Sequence, residues 1–204
     1  MKRLVIAFAL AMLAASAGAQ VTFAGGVDRP ALAAVNPNGP AGTLVNVGGR
    51  ESALISTTTG LLTATFLGFE ALDTDTFTFS LGSGTLSNKG TVGDTISGNV
   101  VAGMLDFTFR DTFAGTLIGN GQNLGDFTSY AVLGSFAGAV FTPFTLGGAY
   151  DLILGFNDGM RVDSDYDDIV VGLKVAAIPE PETYALMLAG LGAMGFLHRR
   201  RRIA

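Results

Sequence analysis

The chain has 204 residues, 17 acidic against 12 basic side chains, a formal net charge of −5, no cysteine and no tryptophan. Its one histidine, His198, lies in the tail. Disulfides, Cys–His or Ser–His catalysis and zinc sites of the His/Cys type are therefore excluded for the body of the chain. Between residues 20 and 177 the only basic residues are Arg29, Arg50, Lys89, Arg110, Arg161 and Lys174, while every acidic residue except Glu180 and Glu182 falls there, nearly all of them Asp. Such an acidic body, with no basic stripe, argues against nucleic acid or an anionic membrane surface as partner. It suits divalent cations or neutral glycans.

In chain order, Met1-Lys2-Arg3 followed by LVIAFALAMLAASAGA has the basic start, apolar centre and small-residue exit of a secretory signal helix. Ala17-Gly18-Ala19 supplies the exit site, so cleavage before Gln20 is expected and residues 1–19 form the signal peptide. The body, 20–177, is the size of one domain. Residues 20–42, rich in Ala, Gly, Pro and Asn, read as a loose segment. From there on, short runs of β-branched, aromatic and Thr residues alternate with Gly, Asn and Asp. The runs Leu44–Val47, Ala53–Thr57, Leu61–Phe69, Thr76–Leu81, Thr91–Ile96, Val101–Arg110, Tyr130–Leu133, Tyr150–Phe156 and Ile169–Val175 are the expected strands. No apolar repeat of helical period occurs in the body. The expected fold is all-β, an antiparallel sandwich or jelly roll, with helix only in the signal peptide and the C-terminal span.

Two runs show which side chains face the core. In Thr76-Phe77-Thr78-Phe79-Ser80-Leu81 the Phe and Leu side chains share one face and the hydroxyls the other. Leu105, Phe107 and Phe109 repeat the arrangement, with Asp106 and Arg110 turned away. All of the 15 phenylalanines except Phe8 in the signal segment and Phe196 in the tail fall in the body, and with Leu, Val and Ile they point to a Phe-rich core. The threonines at Thr57-Thr58-Thr59, Thr63 and Thr65 do not recur at a solenoid spacing, so a flat ice-binding face is not expected.

One segment has chemical character. Between the last two expected strands stands Asn157-Asp158-Gly159-Met160-Arg161-Val162-Asp163-Ser164-Asp165-Tyr166-Asp167-Asp168. Asp158, Asp163, Asp165, Asp167 and Asp168 repel one another if they converge, and only a cation or an arginine offsets that. Asp163-x-Asp165-x-Asp167 has the spacing of the first half of a calcium loop. The spacing then breaks, because Asp168 stands where an EF-hand has Gly and Lys174 where it has its bidentate Glu. Three readings stay open: solvated or backbone-capping carboxylates, a Ca²⁺ site, and catalysis.

The tail has three parts in fixed order: Pro179-Glu180-Pro181, an uncharged apolar span to Leu197, and Arg199, Arg200, Arg201 and Arg202. The prolines keep the first part extended, so helix can begin only beyond Pro181. The expected transmembrane helix, about 183–197, covers roughly 22 Å at about 1.5 Å per residue, short of a hydrocarbon core of about 30 Å. The arginines favour the cytoplasmic side. This arrangement resembles the PEP-CTERM sorting signal of Gram-negative bacteria, and the resemblance is confined to residues 178–204. It implies processing near Pro-Glu-Pro by an exosortase, a membrane cysteine transpeptidase or protease, after export by the Sec machinery. It also implies carrier bacteria that make exopolysaccharide and live in biofilms.

Within the body, Asp75-Thr-Phe-Thr-Phe79 is similar to the FxDxF subgroup of such proteins. The acidic hairpin resembles the one that closes DUF4114-like surface domains just before the tail. That resemblance implies structural roles: the aspartates cap turns or hold one Ca²⁺, and Tyr166 packs inward. The expected function is that of a non-enzymatic protein, sorted through the inner membrane to the cell surface or matrix. The alternatives are a glycan-active hydrolase or lyase and an ice- or mineral-binding protein. Hydrolysis needs a placed pair of carboxylates, whereas the body's only glutamates, Glu51 and Glu70, sit in no motif.

Overall fold

The computed structural model describes residues 20–32, 44, 47–70, 73–80, 84–122, 125–159, 166–177, 187–195 and 199. The signal segment, including Ala17 and Ala19, lies outside the described residues.

The body begins with β1 (Val21–Arg29), β2 (Gly48–Ser56), β3 (Gly60–Gly68) and β4 (Asp75–Phe79). Short elements follow: β5 (Thr85–Ser87), β6 (Thr95–Val100), β7 (Gly103–Met104), β8 (Phe107–Asp111) and β9 (Leu117–Gly119). It ends with β10 (Ser129–Ala137), β11 (Val140–Pro143), β12 (Leu152–Asn157) and β13 (Ile169–Ala177). A large sheet runs β1-β2-β10-β12-β13-β3-β6, with β11 beside β10 and β7 beside β2; a second sheet runs β5-β4-β8-β9. Every pairing is antiparallel. The all-β expectation holds, and the two sheets pack as in a sandwich.

The alternation seen in the sequence builds the interface between them. Phe77 and Phe79 of β4 and Phe107 and Phe109 of β8 are buried, while Thr76, Thr78 and Thr108 are only partly covered. Phe109 stacks on Phe156 of β12 with ring centroids 5.0 Å apart, and Phe107 meets Tyr130 of β10 edge-on at 5.2 Å. Burying each such side chain stabilises the fold by about 1.5–3 kcal/mol. The large sheet is also covered on its other face. Ala131 and Leu133 alternate with Tyr130 and Val132, so they point the opposite way. There they join Leu44, Val47, Ile153, Tyr166 and Val170 in a second cluster. β12 is consequently buried along its whole length.

Several expectations need correction. Residues 20–42 are not uniformly loose, because Val21–Arg29 pairs with β2 as an edge strand. A bulge between Ala24 and Val27 hides it from pattern reading. Gly26 at the bulge has φ +129°, and a Cβ there would stand 2.5 Å from the Glu51 carbonyl oxygen. Leu44 and Val47 are buried core residues outside any strand, and β2 starts at Gly48. Thr91 to Asp94 form a turn in which Asp94 Oδ2 accepts the Thr91 amide at 2.9 Å, so the strand there begins only at Thr95. Val101–Arg110 is two elements, β7 pairing with β2 and β8 pairing with β4. β5, β9 and β11 were not expected; each is too short to show a period. In the body the described residues hold no helix.

Candidate functional site

Two regions carry the expected site residues. The first is the end of the body, where β12 and β13 frame the acidic segment. Asp158 and Asp167 are buried, Asp168 is half-buried, and Asp163 and Asp165 lie outside the described residues. One carboxylate caps backbone, Asp168 Oδ2 accepting the Asp158 amide at 2.7 Å, and the Asn157 carboxamide Oδ1 accepts the Gly159 amide at 2.8 Å. Asp158 and Asp168 are brought together with Asp75, the first residue of β4, with one carboxylate oxygen from each lying within 4.8 Å of the others. Asp167 is outside that group. Lys174 is in β13, its Nζ 2.9 Å from Asp151 Oδ1, well into the strand that follows the loop.

Tyr166 packs inward. Its φ of +59° is unusual for a residue with a Cβ, and it leaves the ring fully buried against the outer face of the large sheet. Gly155 makes this possible, since a Cβ at that position would stand 2.1 Å from the Tyr166 carbonyl oxygen. The Tyr166 hydroxyl donates to Glu51 Oε1 in a short contact and lies 2.9 Å from Ser129 Oγ. Burial, with the Glu51 carboxylate adding to it, pushes the phenol up to about 12.

Glu51 is a centre that sequence reasoning passed over. It is completely buried in β2, and its oxygens accept from Arg29 Nε at 2.8 Å, Ser129 Oγ at 3.2 Å, Tyr166 and the Gly125 amide. The hydrogen bond that Arg29 donates to Glu51 raises its guanidinium further above its already high range. A carboxylate so enclosed by donors ties β1, β2, β10 and the β12–β13 loop together. It has no open side for a substrate. A groove of about 310 Å³ beside β8 and β9 is lined by Met104, Thr108, Leu117 and Gln122 among others, and its only carboxylate is Asp106.

The second region is the tail. Pro179, Glu180, Pro181, Arg200, Arg201 and Arg202 lie outside the described residues, as do 183–186 and 196–197 of the expected 183–197 span. Helix is present at 187–195 and at Arg199. Its apolar side chains are uncovered: Met187, Leu188, Leu191 and Met194 are 56%, 65%, 53% and 43% exposed. No helix among the described residues is long and apolar enough to cross a membrane. The segment nonetheless presents an apolar surface that nothing described in the chain covers.

Against known protein families, residues 177–202 match the PEP-CTERM protein-sorting motif. The chain carries a PEP-CTERM sorting signal. Proteins with this signal are exported, sorted at a membrane and processed there by an exosortase, a membrane enzyme. The match coincides with the proline pair, the apolar span and the arginines, and it begins at the last residue of β13. It does not extend to the body, and the resemblance of the body to FxDxF-type and DUF4114-like surface proteins is not shown. No curated protein and no solved structure matches the chain.

Proposed function

We propose that this is a non-enzymatic component of the cell surface or extracellular matrix, delivered by its PEP-CTERM signal and associated there with exopolysaccharide. The sorting motif at 177–202 carries the reading. In this account residues 1–19 are removed before Gln20 during Sec export, and the apolar span holds the intermediate in the inner membrane with Arg199 to Arg202 on the cytoplasmic side. The exosortase then acts near Pro179-Glu180-Pro181, and the folded body goes on to the surface. The body supports a persistent, chemically quiet role. It is built from packed Phe, Leu, Val and Ile without thiols, and its buried glutamate is enclosed by donors. Its balance of charge disfavours nucleic acid.

Fractionation of cells making the wild type and a Pro179/Glu180/Pro181 triple-alanine variant tests the delivery. The wild type should reach the outer fraction as a shortened product, and the variant should stay full length with the inner membrane. Retention of the purified protein on extracted exopolysaccharide tests the association. Release of sugar from that polymer would replace this reading with the hydrolase or lyase alternative.

A further inference from the structure

We propose that Asp75, Asp158 and Asp168 form a binding site for a hard divalent cation of the Ca²⁺ type, which clamps the small sheet to the closing hairpin of the large one. The three residues come from separate parts of the fold: the start of β4, the residue after β12 and the residue before β13. Their carboxylate oxygens converge within 4.8 Å. Three like charges so close repel strongly, and burial removes the water that would screen them.

Asp75 supplies the observation that points to a ligand. It is completely buried, and its Oδ1 has no hydrogen-bond partner. Its Oδ2 accepts only Asn88 Nδ2, at 3.2 Å. The ion pairs among the described residues join Arg29 to Glu51, Arg50 to Asp28 and Lys174 to Asp151, and Asp75 takes part in none of them. An enclosed carboxylate oxygen without a donor is costly unless a proton or a cation meets it.

The surroundings hold the ligands in place. Asn88, itself buried, accepts the Asp75 amide on Oδ1 at 3.1 Å and donates through Nδ2 to the Asp73 carbonyl at 2.8 Å and the Asp168 carbonyl at 3.4 Å. The Asp158 amide fixes the Asp168 carboxylate. Orientation of this kind by surrounding hydrogen bonds is what tunes a metal site. An all-oxygen, carboxylate-rich set selects Ca²⁺ or its hard relatives over zinc or copper, which favour nitrogen and sulfur. The site differs from a loop-borne one built on Asp163-x-Asp165-x-Asp167, because one ligand comes from the opposite sheet.

The test is thermal unfolding of the purified full-length protein in chelator and in about 1–5 mM CaCl₂, with calorimetric titration of Ca²⁺ into the chelated protein. The wild type should bind one ion, and its melting temperature should rise by roughly 5 °C or more at saturation. Asp75→Asn should abolish both the heat and the shift; should that variant not fold, Asp168→Asn, at a half-exposed position, reads the same outcome. No heat and no shift in the wild type would overturn the proposal. A shift that survives Asp75→Asn and Asp168→Asn but vanishes in Asp163→Asn/Asp165→Asn would overturn it too, placing the ion in the loop alone. None of these readouts depends on sorting, so the site and the delivery account fail separately.

Discussion

The hairpin that closes the body and the helix that follows it are neighbours in sequence and opposites in packing. In β12 and β13, Leu152, Ile153, Leu154, Val170, Val171 and Leu173 are at most 1% exposed, each with a partner on one face of the large sheet or the other. At 187–195 an equally apolar run leaves Leu188 and Leu191 more than half exposed. Hydrophobic side chains contribute nothing to stability until something removes them from water. The body finds that something within itself. The described part of the tail does not, as expected if the proposed sorting route gives it a bilayer for a partner and the fold does not depend on it.

This comparison can be broken at several points. The largest expected effect is on fate: the Pro179/Glu180/Pro181 triple-alanine variant should lose processing almost entirely, read by the absence of the shortened product, while its melting temperature stays that of the wild type. Within the body, Phe109→Ala removes the ring that stacks on Phe156 and should cost about 3–5 kcal/mol in denaturant unfolding. Glu51→Gln keeps the shape but weakens the contacts to Arg29, Ser129 and Tyr166, and should cost about 1–3 kcal/mol in the same assay.

Alkali gives a smaller effect. Burial pushes Tyr130 and Tyr166 from 10.0 up to about 12, so in the folded protein they keep their protons where the unfolded chain has lost them. Their contribution is therefore full below pH 10 and is lost as the pH rises from 10 toward 12. Tyrosinate absorbance should appear for these two only as the fold gives way. Last, Leu188→Lys in the exposed helix should change the stability of the body by less than about 0.5 kcal/mol. A larger loss would mean that the tail packs on the body after all.

How much of this was legible in the sequence follows the range of the interactions. The Phe faces of β4 and β8 were readable because alternation is local: Phe77, Phe79, Phe107 and Phe109 announce a core face without knowing its partner. The tail was readable for the same reason, since proline, apolar span and arginines form one contiguous signal. β1 was not, because its Gly25-Gly26 bulge breaks the period and its partner lies beyond a long connection. Glu51 was invisible as a hub: its partners Arg29, Ser129 and Tyr166 stand 22, 78 and 115 residues away. Asp158 and Asp168 were marked by the density of Asp around them. Asp75 was not, since only the packing of one sheet on the other carries it to them.

The account rests on a self-sufficient body delivered by a detachable tail, and the intact mass of the protein recovered from the outer surface or medium tests it most directly. The mass should correspond to a chain that starts at Gln20 and ends close to Pro179-Glu180-Pro181, with Arg199 to Arg202 gone. A surface product that keeps the complete tail, or a full-length chain found only in the cytoplasm, would contradict it.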